Sequence, residues 1–277
     1  MKPAFVVLTD LSAAAGDAQA YTARLAARLH GCMVLLHVYL NLNPLRDPEE
    51  LVLTTAAELA GRQKMQTDLQ QQVRQLPVPA EAELSFDPLA SAVDKAVRRH
   101  QPLLLAMGRA AHPGRLDRLL PNEVEPILQA THYPLLLVPE GWAETELPQR
   151  MLVAADGRAF TLAAPALALR ELLLTLQPTT AVAHVAHETH GPSHGDVALK
   201  SVLSTQLFGH LTNNSLYEVR EEAPADGILH AAAELNSQLI VMLARPHTFL
   251  GGVFHRSVTA QVLHRSPVPV LVLPTVA

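Results

Sequence analysis

Four apolar runs recur in the same order in the two halves of this 277-residue chain. Phe5-Val6-Val7-Leu8-Thr9-Asp10 ends in an acid, and Met151-Leu152-Val153-Ala154-Ala155-Asp156 does the same 146 positions later (156 − 10). Val34-Leu35-Leu36-His37-Val38 returns as Ala181-Val182-Ala183-His184-Val185, and Leu103-Leu104-Leu105-Ala106-Met107 as Leu239-Ile240-Val241-Met242-Leu243. Each half closes alike, with Tyr133-Pro134-Leu135-Leu136-Leu137-Val138-Pro139 and Val268-Pro269-Val270-Leu271-Val272-Leu273-Pro274. Matched segments in a fixed order are the signature of a duplicated unit. The repeat predicts two similar domains, residues 1–140 and 150–277, joined by a linker over 141–149 that contains Gly141 and Pro148.

The runs are short, continuously apolar and bounded by turn residues, as parallel strands covered on both faces must be. With hydrophobic residues at 49% and aromatic ones at only 4%, the core between those faces has to be aliphatic. Helical patterns lie between the runs. Ser12 can N-cap a helix whose Ala14, Ala18, Leu25 and Leu29 share a face, and Gly31 stands where a helix would stop. Asp47-Pro48-Glu49-Glu50 is a helix start with acid at N-cap and proline at N1, and Asp87-Pro88 repeats it before a helix ending near His100. Alternating strands and helices predict an α/β fold, a doubly wound parallel sheet of about five strands in each half.

Other classes are disfavoured. A net charge of −5 leaves no broad basic footprint for nucleic acid, and Arg98-Arg99-His100 and Arg115 to Arg118 are short groups offset by acids. No apolar stretch reaches the roughly 20 residues that span a membrane. The single Cys32 cannot form an internal disulfide and reads as a small core residue. Met1-Lys2-Pro3 runs directly into a strand, so no signal peptide is expected and the location reads as cytoplasmic.

In the first half the ordered marks are Asp10, His37-Val38, Met107-Gly108, Gly114 and the Pro134 strand. In the second they are Asp156, His184-Val185, Met242, Ser257-Val258 and the Val268-Pro269 strand. Taken in this order, the chain resembles the universal stress protein family, twice and over nearly its whole length. The resemblance implies the adenine-nucleotide alpha-hydrolase-like fold in tandem, a cytoplasmic stress-response role, and a site for ATP or another adenine nucleotide in each half. It places Asp10, Val38, Met107, Gly108, Gly114 and Asn122 at the first site, and Asp156, Val185, Ser257 and Val258 at the second. A site there also has a physical basis. Ligands of doubly wound sheets bind beyond the carboxyl ends of the strands, and a helix N-terminus behind a glycine loop suits phosphates.

The loops depart from the family pattern of glycine, two residues, glycine, nine residues and Gly-Ser. The first half offers Gly108, Ala111, Pro121 and Asn122, and the second Leu243, Pro246, Arg256 and Ser257. Pro121 supplies no N–H, and Glu123 and Glu125 would each cost a triphosphate about 1 kcal/mol or more at close range. In the second half, His255 and Arg256 could replace lost backbone donors by charge. The expected outcome is a pair of degenerate sites that bind ATP weakly or not at all.

Several residues admit two readings. Asp10 and Asp156 are adenosine contacts or acids capping the first helix of each half. Gly108 and Gly114 are phosphate-loop glycines or turn residues, and Ser257 is a ligand contact or an N-cap. His37 and His184 read as core histidines with satisfied hydrogen bonds. A second cluster, His187, His190 and His194 beside His184, Glu188 and Asp196, could make a metal-binding sensor of segment 184–194, or be a polar loop. A slow ATPase or nucleotide-dependent switch is the enzymatic alternative, although no Walker lysine or Gly-x-Ser-x-Gly elbow is present. The halves are expected to pack as an intramolecular pseudo-dimer through Leu135 to Val138 and Val270 to Leu273, with a further homodimer or an unidentified protein partner beyond that.

Overall fold

Each apolar run forms a strand, and along most of these strands nearly every residue is buried. The computed structural model describes residues 2–39, 51–111, 120–142, 144–186, 193–220, 222–245 and 257–276, without the side chains of 51–58 and 120–123. The first half runs β1 (Ala4–Leu8), α1 (Ala13–Arg28), β2 (Cys32–Val38), α2 (Leu51–Gln75), β3 (Ala80–Ser85), α3 (Leu89–His100), β4 (Leu104–Arg109), α4 (Leu120–Thr131) and β5 (Leu135–Pro139). The second runs β6 (Arg150–Ala154), β7 (Thr161–Leu162), α5 (Ala164–Leu167), α6 (Arg170–Leu176), β8 (Thr179–Val185), α7 (Gly195–Ser204), β9 (Leu216–Val219), α8 (Pro224–Glu234), β10 (Leu239–Ala244), α9 (Val258–Arg265) and β11 (Val270–Val276).

Strand order is β3-β2-β1-β4-β5 in one half and β9-β8-β6-β10-β11 in the other, all parallel within each half. The two orders correspond position by position, as a doubly wound duplication requires. The sheet count needs correction, because the halves do not keep separate five-stranded sheets. β5 and β11 pair antiparallel, with Leu137 opposite Val270, Leu136 opposite Leu271 and Leu135 opposite Val272, so one sheet crosses the molecule. The physical reason lies in β5 itself. Leu-Leu-Leu-Val-Pro is buried at every residue, and such a strand left as a bare edge would template aggregation.

Helices cover both faces of this sheet. Phe5, Val7 and Leu35 pack with Tyr21 of α1, Leu172 of α6 and Leu199 of α7 on one side. Val6 and Leu105 pack with Val93 of α3, Ile127 of α4, Ile228 of α8 and Leu263 of α9 on the other. Burial of this kind is worth roughly 25 cal/mol per Å² of apolar surface, so both cores favour the joined sheet.

Helix ends follow the sequence signals in part. Ser12 caps α1, its hydroxyl accepting from the Ala15 N–H at 3.2 Å. The stop falls one residue before Gly31, because His30 takes the left-handed conformation (φ 50°) and Gly31 donates to the Ala26 carbonyl at 2.8 Å. A Cβ on Gly31 would lie 2.5 Å from the Pro3 carbonyl oxygen, so the glycine serves a close approach. Ahead of α3 the cap is Pro88 rather than Asp87, whose carboxylate instead takes Lys95 at 2.8 Å and the Ser85 hydroxyl. The Asp47-Pro48 start lies outside the described residues. The linker is fastened to both halves, with Gly141 N–H on Asp17 at 2.8 Å, Arg24 on the Glu144 carbonyl at 2.8 Å, and Gln149 N–H on Gln238 at 2.9 Å. Arg109, at the end of β4, reaches across the junction to the carbonyls of His264 (2.7 Å) and Ser266 (2.5 Å) at the end of α9.

Candidate functional site

The strand order reverses between β1 and β4 in the first half, and between β6 and β10 in the second. These switch points open a crevice at the carboxyl ends of the strands. Asp10 follows β1, and Asp156 follows β6.

Behind each acid the same device holds the backbone. His37 Nδ1 lies 2.7 Å from the Thr9 carbonyl oxygen, and His184 Nδ1 lies 3.1 Å from that of Ala155. A carbonyl only accepts, so each imidazole donates through Nδ1. Both rings are buried, at 8% and 6% exposure, and each ties the end of one strand to its neighbour. They are core histidines with satisfied hydrogen bonds.

The acids themselves part company. Asp10 is exposed, and its Oδ1 accepts the Ser12 N–H at 2.9 Å. That contact shapes the turn before α1, where Leu11 takes φ 67° and donates to the Thr9 hydroxyl at 3.1 Å. Ser12 caps the helix, so Asp10 is not its cap, and among the described residues no cation pairs with it. Asp156 is engaged across its crevice. Arg245, the residue after β10, donates from Nη2 to Oδ1 at 2.5 Å and from Nε to Oδ2 at 3.2 Å. The same guanidinium holds the carbonyls of Arg158 at 3.0 Å and Ala159 at 3.1 Å, while Arg158 Nε stands 3.6 Å from Asp156. Beyond that clasp, β7 pairs with the end of β11. The chain after Asp156 therefore lies over the second switch point.

The remaining expected site residues divide similarly. Met107 is buried within β4, and Val38 is half-buried at the end of β2. Gly108 sits against the first turn of α1, where a Cβ would lie 2.2 Å from the Ala14 carbonyl carbon and oxygen and 2.7 Å from the Ala15 nitrogen. Its requirement is close helix packing. Gly114 lies outside the described residues. Asn122 falls within α4 (Leu120–Thr131) rather than ahead of it.

In the second half, Val185 packs against α8, leaving only 2.9 Å between its Cγ2 and a Cβ on Gly227. Ser257 is the N-cap of α9, accepting from the Ala260 N–H at 3.1 Å, and Val258 is half-buried at that helix start. His194 lies over Gly157, its Cβ 2.2 Å from where a glycine-replacing Cβ would stand. His187 and His190 lie outside the described residues, and among the described residues no group of three potential ligands could hold a metal ion.

Two partners were invisible to sequence reasoning. Arg245 is 89 positions from Asp156, and only its place after the strand facing Asp156 could have drawn attention to it. Glu218 lies on β9 opposite His184, bonded to Ser193 and to Arg220 Nε at 2.8 Å. The Ser193 hydroxyl foremost, together with the Arg220 guanidinium, holds its carboxyl below the usual range.

The universal stress protein family model matches residues 3–139 and again 148–274. Among solved structures, a universal stress protein from Archaeoglobus fulgidus DSM 4304 is similar at 19% identity, with 98% of this chain and 96% of that one covered and a TM-score of 0.67. A functionally unknown protein from Pseudomonas aeruginosa PAO1 is similar at 16% identity, with 99% and 93% covered and a TM-score of 0.60. A universal stress protein family protein from Arabidopsis thaliana, with AMP bound, is 16% identical over 52% of this chain and 96% of that one, with a TM-score of 0.33. No curated protein sequence matches the chain significantly.

Proposed function

Because the chain belongs to the universal stress protein family, we propose that it is a cytoplasmic stress-response regulator whose first half keeps a weak adenine-nucleotide site and whose second half holds none. The observation that carries this reading is the unequal fate of two equivalent acids. Asp10 is exposed beside its crevice, and among the described residues its carboxylate meets a backbone N–H and no cation. Asp156 is clasped by Arg245 across the matching crevice. A nucleotide entering the second site would have to displace two charge-assisted contacts and two guanidinium–carbonyl bonds. With Asp156 47% exposed the pair itself is worth about 1 kcal/mol, and the two carbonyl bonds add to what a weak ligand would have to recover.

The first site is weak for a local reason. Glu123 and Glu125 occupy the first turns of α4, where a helix dipole would otherwise welcome phosphate. The base and ribose, met by Asp10 and Val38, would supply most of the affinity. The second half serves as the partner on which the first half closes its sheet. Since β5 and β11 use each other, the arrangement needs no second chain to cover those strands. The output is then recognition of a protein partner, modulated by whether the first crevice is filled.

Calorimetric titration with ATP, ADP and AMP, with and without Mg²⁺, tests the reading. One weak site is expected, lost in Asp10→Ala and retained in Asp156→Ala. Two equivalent sites, or loss of binding in Asp156→Ala, would overturn it. Silence up to millimolar nucleotide would leave a scaffold that binds its partner without a nucleotide.

A further inference from the structure

The second half covers its share of the sheet with less helix than the first. α1 is one helix of 16 residues, whereas its counterpart is broken into α5 (4 residues) and α6 (7 residues). α7 spans 10 residues where α2 spans 25. The shortfall leaves a cleft of about 710 Å³ at the amino ends of β6 and β8, opposite to the crevice of that half. Its size lies within the range of roughly 300–1,000 Å³ usual for small-molecule sites.

The lining has a definite chemistry. Met151, Leu173 and Phe208 are buried beneath it, at 2%, 4% and 2% exposure. Leu174 and Leu203 line it as well and stay 48% and 38% exposed, so their side chains leave apolar surface open to solvent at the cleft. Arg170 supplies a cation, His210 stands nearby, and among the described residues no Asp or Glu lines the cleft. Among the described residues, no carboxylate pairs with Arg170. Amide and hydroxyl groups such as Gln206 and Thr179 complete the wall.

We propose that this cleft binds a small amphipathic organic anion, its apolar body laid over Met151, Leu173 and Phe208 and its carboxylate or sulfonate met by Arg170. Orientation follows from α6. Arg170 opens that helix and Gln177 follows its end, about 10 Å along the axis. Arg170 is the one lysine or arginine among the described lining residues, so the charged head lies towards it and the tail runs along Leu173 and Leu174.

The full-length protein is titrated with 1-anilinonaphthalene-8-sulfonate, followed by fluorescence, and the dye is then competed with decanoate, decanol and ATP. A single saturable dye site is expected, displaced by decanoate more strongly than by decanol and not by ATP. Arg170→Gln weakens the dye by about tenfold, as loss of a charge-assisted contact implies. Leu203→Asp, which sets a carboxylate at the mouth, weakens it further. Both residues are at the surface, and unchanged thermal melting verifies that each variant is folded. Absence of saturable binding to the wild type, affinity within twofold in both variants, or displacement of the dye by ATP would each overturn the proposal.

Discussion

Replacing Gly108 by alanine tests whether that glycine serves the fold or a phosphate. A Cβ there would stand 2.2 Å from the carbonyl carbon and oxygen of Ala14, about 1.2 Å short of the 3.4 Å at which ordinary contact begins. The atoms in the way belong to the backbone of the first turn of α1, so no rotamer can relieve the overlap. α1 must lift from β4, and it carries Ala15 and Ala18, both at most 3% exposed, away from the sheet. Overpacking in a well-filled core costs about 1–3 kcal/mol, and a rigid backbone partner puts Gly108→Ala at the upper end of that range. Gly16, in the same helix, provides the opposite case. Nothing lies within 4 Å of its would-be Cβ, so Gly16→Ala should stabilise by about 0.5–1 kcal/mol through the unfolded chain and helix propensity. Urea unfolding followed by circular dichroism should therefore move the midpoint down for one variant and up for the other. A Gly108→Ala protein that unfolds at the wild-type midpoint, but no longer responds to nucleotide, would refute the packing argument and return the residue to the ligand.

Arg109→Ala removes both guanidinium contacts to the end of α9 and should cost about 1.5–3 kcal/mol in urea unfolding, with limited proteolysis of α9 accelerated; an unchanged midpoint would mean the junction does not depend on it. Gln101 and Gln177 close α3 and α6 in the left-handed conformation (φ 43° and 48°), so Gln101→Gly and Gln177→Gly should each stabilise by about 0.5–1 kcal/mol, additively because the two helices pack on opposite faces of the sheet. His230 is held above its ordinary 6.5, by its hydrogen bond to Glu222 foremost and by the Glu222 charge. Its folded value exceeds the unfolded one, so its contribution is complete below pH 6.5 and is lost as pH rises through the elevated value. An NMR titration should find its midpoint above 6.5, returning towards the ordinary value in Glu222→Gln.

What the sequence disclosed follows from burial. Strands enclosed on both faces, such as Phe5 to Leu8 and Leu239 to Ala244, must be apolar throughout and therefore stand out as runs. β3 and β9 lie at the sheet edges, and Ala80-Glu81-Ala82-Glu83-Leu84-Ser85 alternates instead, so its strand is hidden from a search for continuous apolar stretches. The core roles of His37 and His184 were readable because a polar ring at the end of a buried strand must find a partner. The difference between Asp10 and Asp156 was not readable. Both end the same kind of run, and only folding brings Arg245 to one of them. Gly108 was ambiguous for a related reason. A glycine needed for close helix packing looks, in one dimension, like a glycine needed by an anion.

The reversed pairing of β5 with β11 also decides which features share a side of the molecule. Strands of the two halves run in opposite senses through one sheet, so the outgoing ends of the first half border the same rim as the incoming ends of the second. Asp10 and the Arg170 cleft thus belong to one rim, while Asp156 and its arginine clasp belong to the other. A ligand held at Asp10 and one held in the Arg170 cleft would therefore open to the same side of the sheet, and the clasped acid to the opposite one.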